Sequence, residues 1–249
     1  MHISIMLVFW SLASLIRNSV VLAVYLLFSV ACFFTVHEHL LMAYQIMGQE
    51  LHEWFGAGML ALFIIHNILN IQWYRNLFRG AYRPVRIFGT LVNFAVLAAI
   101  LSLGYSGIVM SRHLFAFLPI NRGMVLARVM HLAGSYWGLI LMSLHLGIHW
   151  GMVIGMFRKY LSEKKLSPHI WLSRLFALVV AGFGAWCFVR ADIISYLFLK
   201  NEFAFFDFGK SSFLVLAEYT AMMGLWVFVG YYVTRGIGKL TCKKRGDES

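Results

Sequence analysis

The chain has 249 residues, of which 61% are hydrophobic and 12% charged, and it carries a formal net charge of +11. A soluble domain of this size cannot hide so many apolar side chains, and several runs approach the ~20 residues needed to cross a ~30 Å hydrocarbon core as helix. The composition therefore describes an integral membrane protein, with little chain left for a large soluble domain. The basic residues stand in short clusters between apolar runs, as in loops that orient membrane proteins, which argues against nucleic acid as a partner. Cys32, Cys187 and Cys242 are far apart and form no CxxC or CxxCH, so covalent haem attachment, iron–sulfur ligation and zinc knuckles lack support.

In chain order, residues 1–18 open with "MHISIMLVFWSLASLI". They lack a basic n-region and a small-residue cleavage site, and are read as an interfacial helix or an extension of the first span. About six spans follow, at 19–44, 51–74, 86–111, 126–156, 170–192 and 211–234. The breaks between them are "RNLFRGAYRPVR", "SRHLFAFLPINRG", "RKYLSEKKLSP" and a mixed-charge connection over 193–210. The expected fold is all-α, a polytopic membrane bundle over 19–236 with a basic tail over 237–249. Counting Lys and Arg with the N-terminus inside gives 15 on the inner segments and 6 on the outer ones, which puts both termini in the cytoplasm. Spans 2 and 4 then run parallel, from outside to inside.

Those two spans carry the informative pattern. His52 and His66 bracket "HEWFGAGMLALFIIH", and His131 and His145 bracket "HLAGSYWGLILMSLH". Both frames are H-x13-H. Fourteen residues at ~100° each bring the two histidines of a helix nearly to the same side, ~21 Å apart along the axis. Parallel helices with this pattern offer two imidazole pairs, one near each membrane surface. Two non-covalent b-type haems, each held by His52 with His131 or His66 with His145, fit that geometry inside a bundle. Gly56, Gly134 and Gly138, with Gly104 and Gly107 in span 3, would let a macrocycle approach the backbone. Arg112, Arg122 and Arg128 outside, and Arg75, Arg83 and Arg86 inside, are candidate propionate partners, although interfacial arginines and packing glycines are common in any membrane bundle. One intramembrane histidine is often only a hydrogen-bonded packing residue. Four in matched pairs are hard to explain that way.

His149 follows His145 by one turn. As a ligand it would set the haem ~27 Å below His131, almost at the membrane surface, so His145 is preferred and a place beside the haem is assigned to His149. His37, His39 and Glu218 are weak candidates for a proton or quinone path.

The stretch from about Leu51 to Met156, with "HEWFGAGMLALFIIHNILNIQWY", "GYSGIVMS", "ARVMHLAGSYWG" and "LHLGIHWGM", resembles the flavinylation-associated cytochrome domain, a family of bacterial membrane proteins. Paired H-x13-H helices occur also in quinol-oxidising cytochrome b and in ferric-reductase-like membrane domains, but nothing after residue 235 suits FAD or a nicotinamide. The resemblance implies a two-haem subunit of the bacterial cytoplasmic membrane, passing electrons from menaquinol or another quinol towards an extracytoplasmic flavoprotein or other redox subunit. Two other classes compete: a proton-coupled transporter using a histidine relay, and a structural anchor of a redox complex.

Overall fold

In lipid a chain must satisfy its own backbone hydrogen bonds, which an apolar run does by forming a helix. The computed structural model describes residues 41–120, 122–160, 169–204, 207 and 209–247, and every regular element among them is helical. There are seven: α1 (Tyr44–Leu69), α2 (Ile71–Arg75), α3 (Pro84–Met110), α4 (Met124–Tyr160), α5 (His169–Arg190), α6 (Ile193–Leu197) and α7 (Ser212–Asp247). Residues 1–18, most of the first expected span, His37 and His39 lie outside the described residues.

Among the described residues four helices are long and apolar enough to cross a membrane: Pro84–Met110, Met124–Gly155, Trp171–Arg190 and Ser212–Thr241. They match the expected spans 3 to 6 within a few residues at most ends. α1, expected as span 2, is long enough but not among the four. Its two histidines, Glu53 and Asn67 dilute its hydropathy. Gly48, at φ 73°, breaks α1 near its start, so the regular helix begins close to the expected residue 51. α7 runs on as helix to Asp247, through residues read as a tail.

The long helices alternate in direction. Glu53 near the start of α1 is bonded to the turn after α3, and Gly238 near the end of α7 lies against Val85 at the start of α3. The bundle thus has a carboxylate end, where α1, α4 and α7 begin, and a basic end, where they finish.

Packing divides the bundle into two parts. α4, α5 and α7 meet backbone to backbone. A Cβ on Gly147 would collide with the Val227 carbonyl, one on Gly184 with the Ala221 carbonyl, and one on Gly230 would come within 2.7 Å of the Leu144 carbonyl. Small residues that let helices approach this closely are the usual basis of association in lipid. Around them Tyr136, Ile140, Cys187, Phe188, Tyr196 and Met222 form the buried core, with Tyr136 and Tyr196 stacked at 4.6 Å. Cys187 is thus a packing residue, as expected of a lone cysteine in an apolar run. α1 stands differently: its close backbone approaches are to α3, and it faces α4 mainly through side chains.

Candidate functional site

The histidines pair as their spacing requires. His52 faces His131 with ring centres 5.9 Å apart and planes at 66°, and His66 faces His145 at 6.3 Å and 81°. α1 and α4 are therefore parallel, with one pair towards each end. Ring separations of this size also suit edge-to-face packing, so distance alone does not specify a cofactor. The partners of the imidazole nitrogens carry more information.

On α4 the two paired histidines, His131 and His145, are each met at Nδ1 by a side chain of α3. Asn93 Oδ1 lies 2.9 Å from His145 Nδ1. The amide oxygen can only accept, so Nδ1 carries the proton and the Nε2 lone pair is left available. Ser106 Oγ lies 3.0 Å from His131 Nδ1 and 3.1 Å from the Leu103 carbonyl. A hydroxyl that donates to that carbonyl accepts from Nδ1–H, the tautomer that again leaves Nε2 as the acceptor. Ser106 has no exposed surface at all. This is how metal-binding histidines are held: the second nitrogen donates to an oxygen that fixes tautomer and ring orientation. Across the gap, His52 Nδ1 is buried with no hydrogen-bond partner, a deficit worth about 1–3 kcal/mol for a polar group. His66 Nε2 lies 3.4 Å from Asn70 Nδ2.

Between α1, α3 and α4, at the carboxylate end, opens a cleft with about 900 Å³ of unfilled space, counting the part open to the outside. His52 and His131 line it, with Gly56, Gly104, Gly107 and Gly138 on its walls. A Cβ on Gly56 or Gly107 would meet nothing within 4 Å, so these positions border empty space. Gly134 differs. Its Cβ would come within 3.1 Å of Leu103, which places it in the α3–α4 packing and not on the cleft wall.

These residues fit a bis-histidine haem. Metal–imidazole bonds of about 2 Å put two axial rings roughly 6 Å apart between centres, the separation seen in both pairs. The anchored Nδ1 atoms, the unpartnered His52 nitrogen and the glycine-walled apolar cleft agree with it. A single-ion site converging on several ligands does not: among the described residues no group of three or more His, Cys, Asp or Glu could hold a metal ion.

No protein-family model, curated protein or solved structure matches the chain. The functional reading therefore rests on its own residues.

Several of those were not visible in the sequence pattern. Glu53, directly after His52, accepts from Ser111 Oγ at 2.7 Å and from the backbone N–H groups of Arg112, His113 and Leu114 at 2.9–3.0 Å. Three successive amides gripping one carboxylate form an anion nest, which ties the α3–α4 connection down beside the cleft. Phe115 of that connection lines the cleft.

Other expectations change. Arg86 donates to the carbonyls of Asn76, Leu77 and Arg79 at 2.6–3.1 Å and lies over the Tyr82 ring. Its guanidinium staples the α2–α3 turn and is not free for a propionate. Glu218 is paired with Lys210 at 2.7 Å, which occupies the carboxylate proposed as a proton acceptor. His149 lies edge-on to His145, 4.9 Å between ring centres, while the ring opposite His66 is that of His145.

Proposed function

We propose that the chain is a di-haem b-type membrane cytochrome that relays electrons across a bacterial cytoplasmic membrane. His52 and His131 hold one haem and His66 and His145 the other. α1 is a span in this reading, as is the segment before it, giving six spans with both termini in the cytoplasm. The carboxylate end is then outside. The observation that carries the reading is the Nδ1 anchoring of His131 by Ser106 and of His145 by Asn93, each opposite a histidine of α1.

Bound haem would supply reversible one-electron chemistry, held by the four paired histidines. The protein's part is to hold the rings and exclude water. Asn93 and Ser106 orient the two rings through Nδ1 and favour the tautomer with Nε2 unprotonated, the glycines of α1 and α3 leave room beside the backbone, and Glu53 fixes the connection that borders the cleft. Two sites ~21 Å apart along the axis suit transfer from one membrane face to the other. A quinol such as menaquinol is the proposed donor and an extracytoplasmic flavoprotein or other redox subunit the proposed acceptor, in keeping with the family resemblance. A histidine-relay transporter would want carboxylates or broken helices near the midplane; among the described side chains every Asp and Glu belongs to the carboxylate end.

Purified from membranes of a host that makes ample haem, the protein is expected to show a b-type reduced-minus-oxidised spectrum and two haems per chain. A haem-free, folded protein would overturn the reading.

A further inference from the structure

The basic end carries a feature that electron relay does not use. Arg174 at the start of α5 lines, with Arg235 and Lys239 near the end of α7, one partly open pocket that Tyr232 and Gly236 also line. Three cations on two antiparallel helices repel one another unless something anionic sits between them. Among the described side chains no carboxylate does so: Glu50, Glu53, Asp192, Glu202, Asp207 and Glu218 all belong to the opposite end of the bundle, and Glu38, Glu163, Asp247 and Glu248 fall outside that set. The two arginines are also held in place. Arg235 donates to the Tyr231 hydroxyl at 2.7 Å and lies over that ring, and Arg174 lies over the Trp171 ring.

The level of the pocket identifies the occupant. The spanning stretches are Trp171–Arg190 in α5 and Ser212–Thr241 in α7, so Arg174 lies in the first turn of one apolar span and Arg235 and Lys239 in the last two turns of the other, where a headgroup would be. Beside them the helices expose Trp171, Leu172, Leu175, Val233 and Leu240, a wall suited to acyl chains. Basic pockets between helices at a membrane interface take phosphate headgroups, and arginine is well shaped to grip them.

We propose that the paired ends of α5 and α7 bind the phosphate headgroup of an anionic phospholipid. The inference needs the chain to lie in a bilayer and is independent of haem.

The test uses the full chain in nanodiscs of phosphatidylcholine, alone or mixed with phosphatidylglycerol, with thermal unfolding followed by circular dichroism. Phosphatidylglycerol is expected to raise the Tm by about 3–6 °C, and inorganic phosphate added to phosphatidylcholine discs to leave it unchanged. The triple variant R174Q/R235Q/K239Q should lose the shift. R79Q, which removes a charge from the same end outside the pocket, should keep it. Lipid phosphorus per chain after detergent extraction provides a second readout, expected to fall in K239Q alone and to be retained in R79Q and R174K/R235K. Equal loss in R79Q and K239Q would mean a diffuse surface potential, a shift reproduced by phosphate would mean a free-anion site, and no shift with phosphatidylglycerol would mean no site; each overturns the proposal.

Discussion

The two halves of the bundle are built by opposite rules. Where α4, α5 and α7 meet, glycines are used up: Gly147, Gly184 and Gly230 are pressed against carbonyls of the facing helix, and no atom could be added. Where α1 meets α3 and α4, some glycines border vacancy: a Cβ on Gly56 or Gly107 would meet nothing within 4 Å. The same residue type closes one interface and keeps the other open. Histidine follows the division, since all four paired imidazoles face the open side. The tight half is a frame, and the open half keeps a cleft beside one of its imidazole pairs.

Substitutions that fill the two kinds of glycine should separate them most strongly. Gly184→Leu and Gly147→Leu are expected to cost most of the folded protein, with the monodisperse yield in fluorescence-detected size exclusion falling more than ~10-fold, because overpacking a backbone contact cannot be relieved by a rotamer change. Gly56→Leu should leave yield and helicity near wild type and lower haem content. If Gly56→Leu is as damaging to the fold as Gly184→Leu, the cleft is not open space.

Next in size is the loss of the α3 anchors. Asn93→Leu is expected to weaken retention of the basic-end haem by about 10–100-fold, as removal of a metal ligand's supporting hydrogen bond commonly does, measured by competitive haem transfer to an apoprotein acceptor. Ser106→Ala should do the same at the other site and leave the basic-end haem untouched. A smaller effect is expected at Glu53. Glu53→Gln keeps the shape but loses the charge that grips three amides, so hydrogen exchange at residues 112–114 should speed up by ~10-fold, equivalent to about 1.4 kcal/mol. Smallest is Glu218→Gln, which breaks a partly exposed ion pair with Lys210 and should change stability by no more than about 1 kcal/mol.

Much of this was legible because periodicity survives translation into structure. Fourteen-residue spacing on two runs, together with the alternation of spans that makes spans 2 and 4 parallel, sufficed to pair His52 with His131 and His66 with His145, since helix rise and rotation are fixed. Spans 3 to 6 were readable from length and hydropathy. α1 was weaker by those measures because the residues that make its site, two histidines and a glutamate, are polar. Asn93 and Ser106 were missed, though a signal existed: they are polar residues inside an apolar run, thirteen apart, almost the spacing of the histidines they serve. Glycines could not be sorted from sequence. Gly134 and Gly138 look alike on the helix, yet the first packs on Leu103 and the second also lines the cleft. Arg86 likewise counted as an interfacial cation until its carbonyl partners were seen.

The most direct test of two imidazole pairs with one haem each is haem content per chain in His131→Ala, His145→Ala and the double variant, each purified as a folded monodisperse protein. Two haems in the wild type, one in each single variant with a different half of the redox titration missing, and none in the double variant is the expected result. Two haems retained in either single variant, or both lost together from a folded protein, would contradict the account.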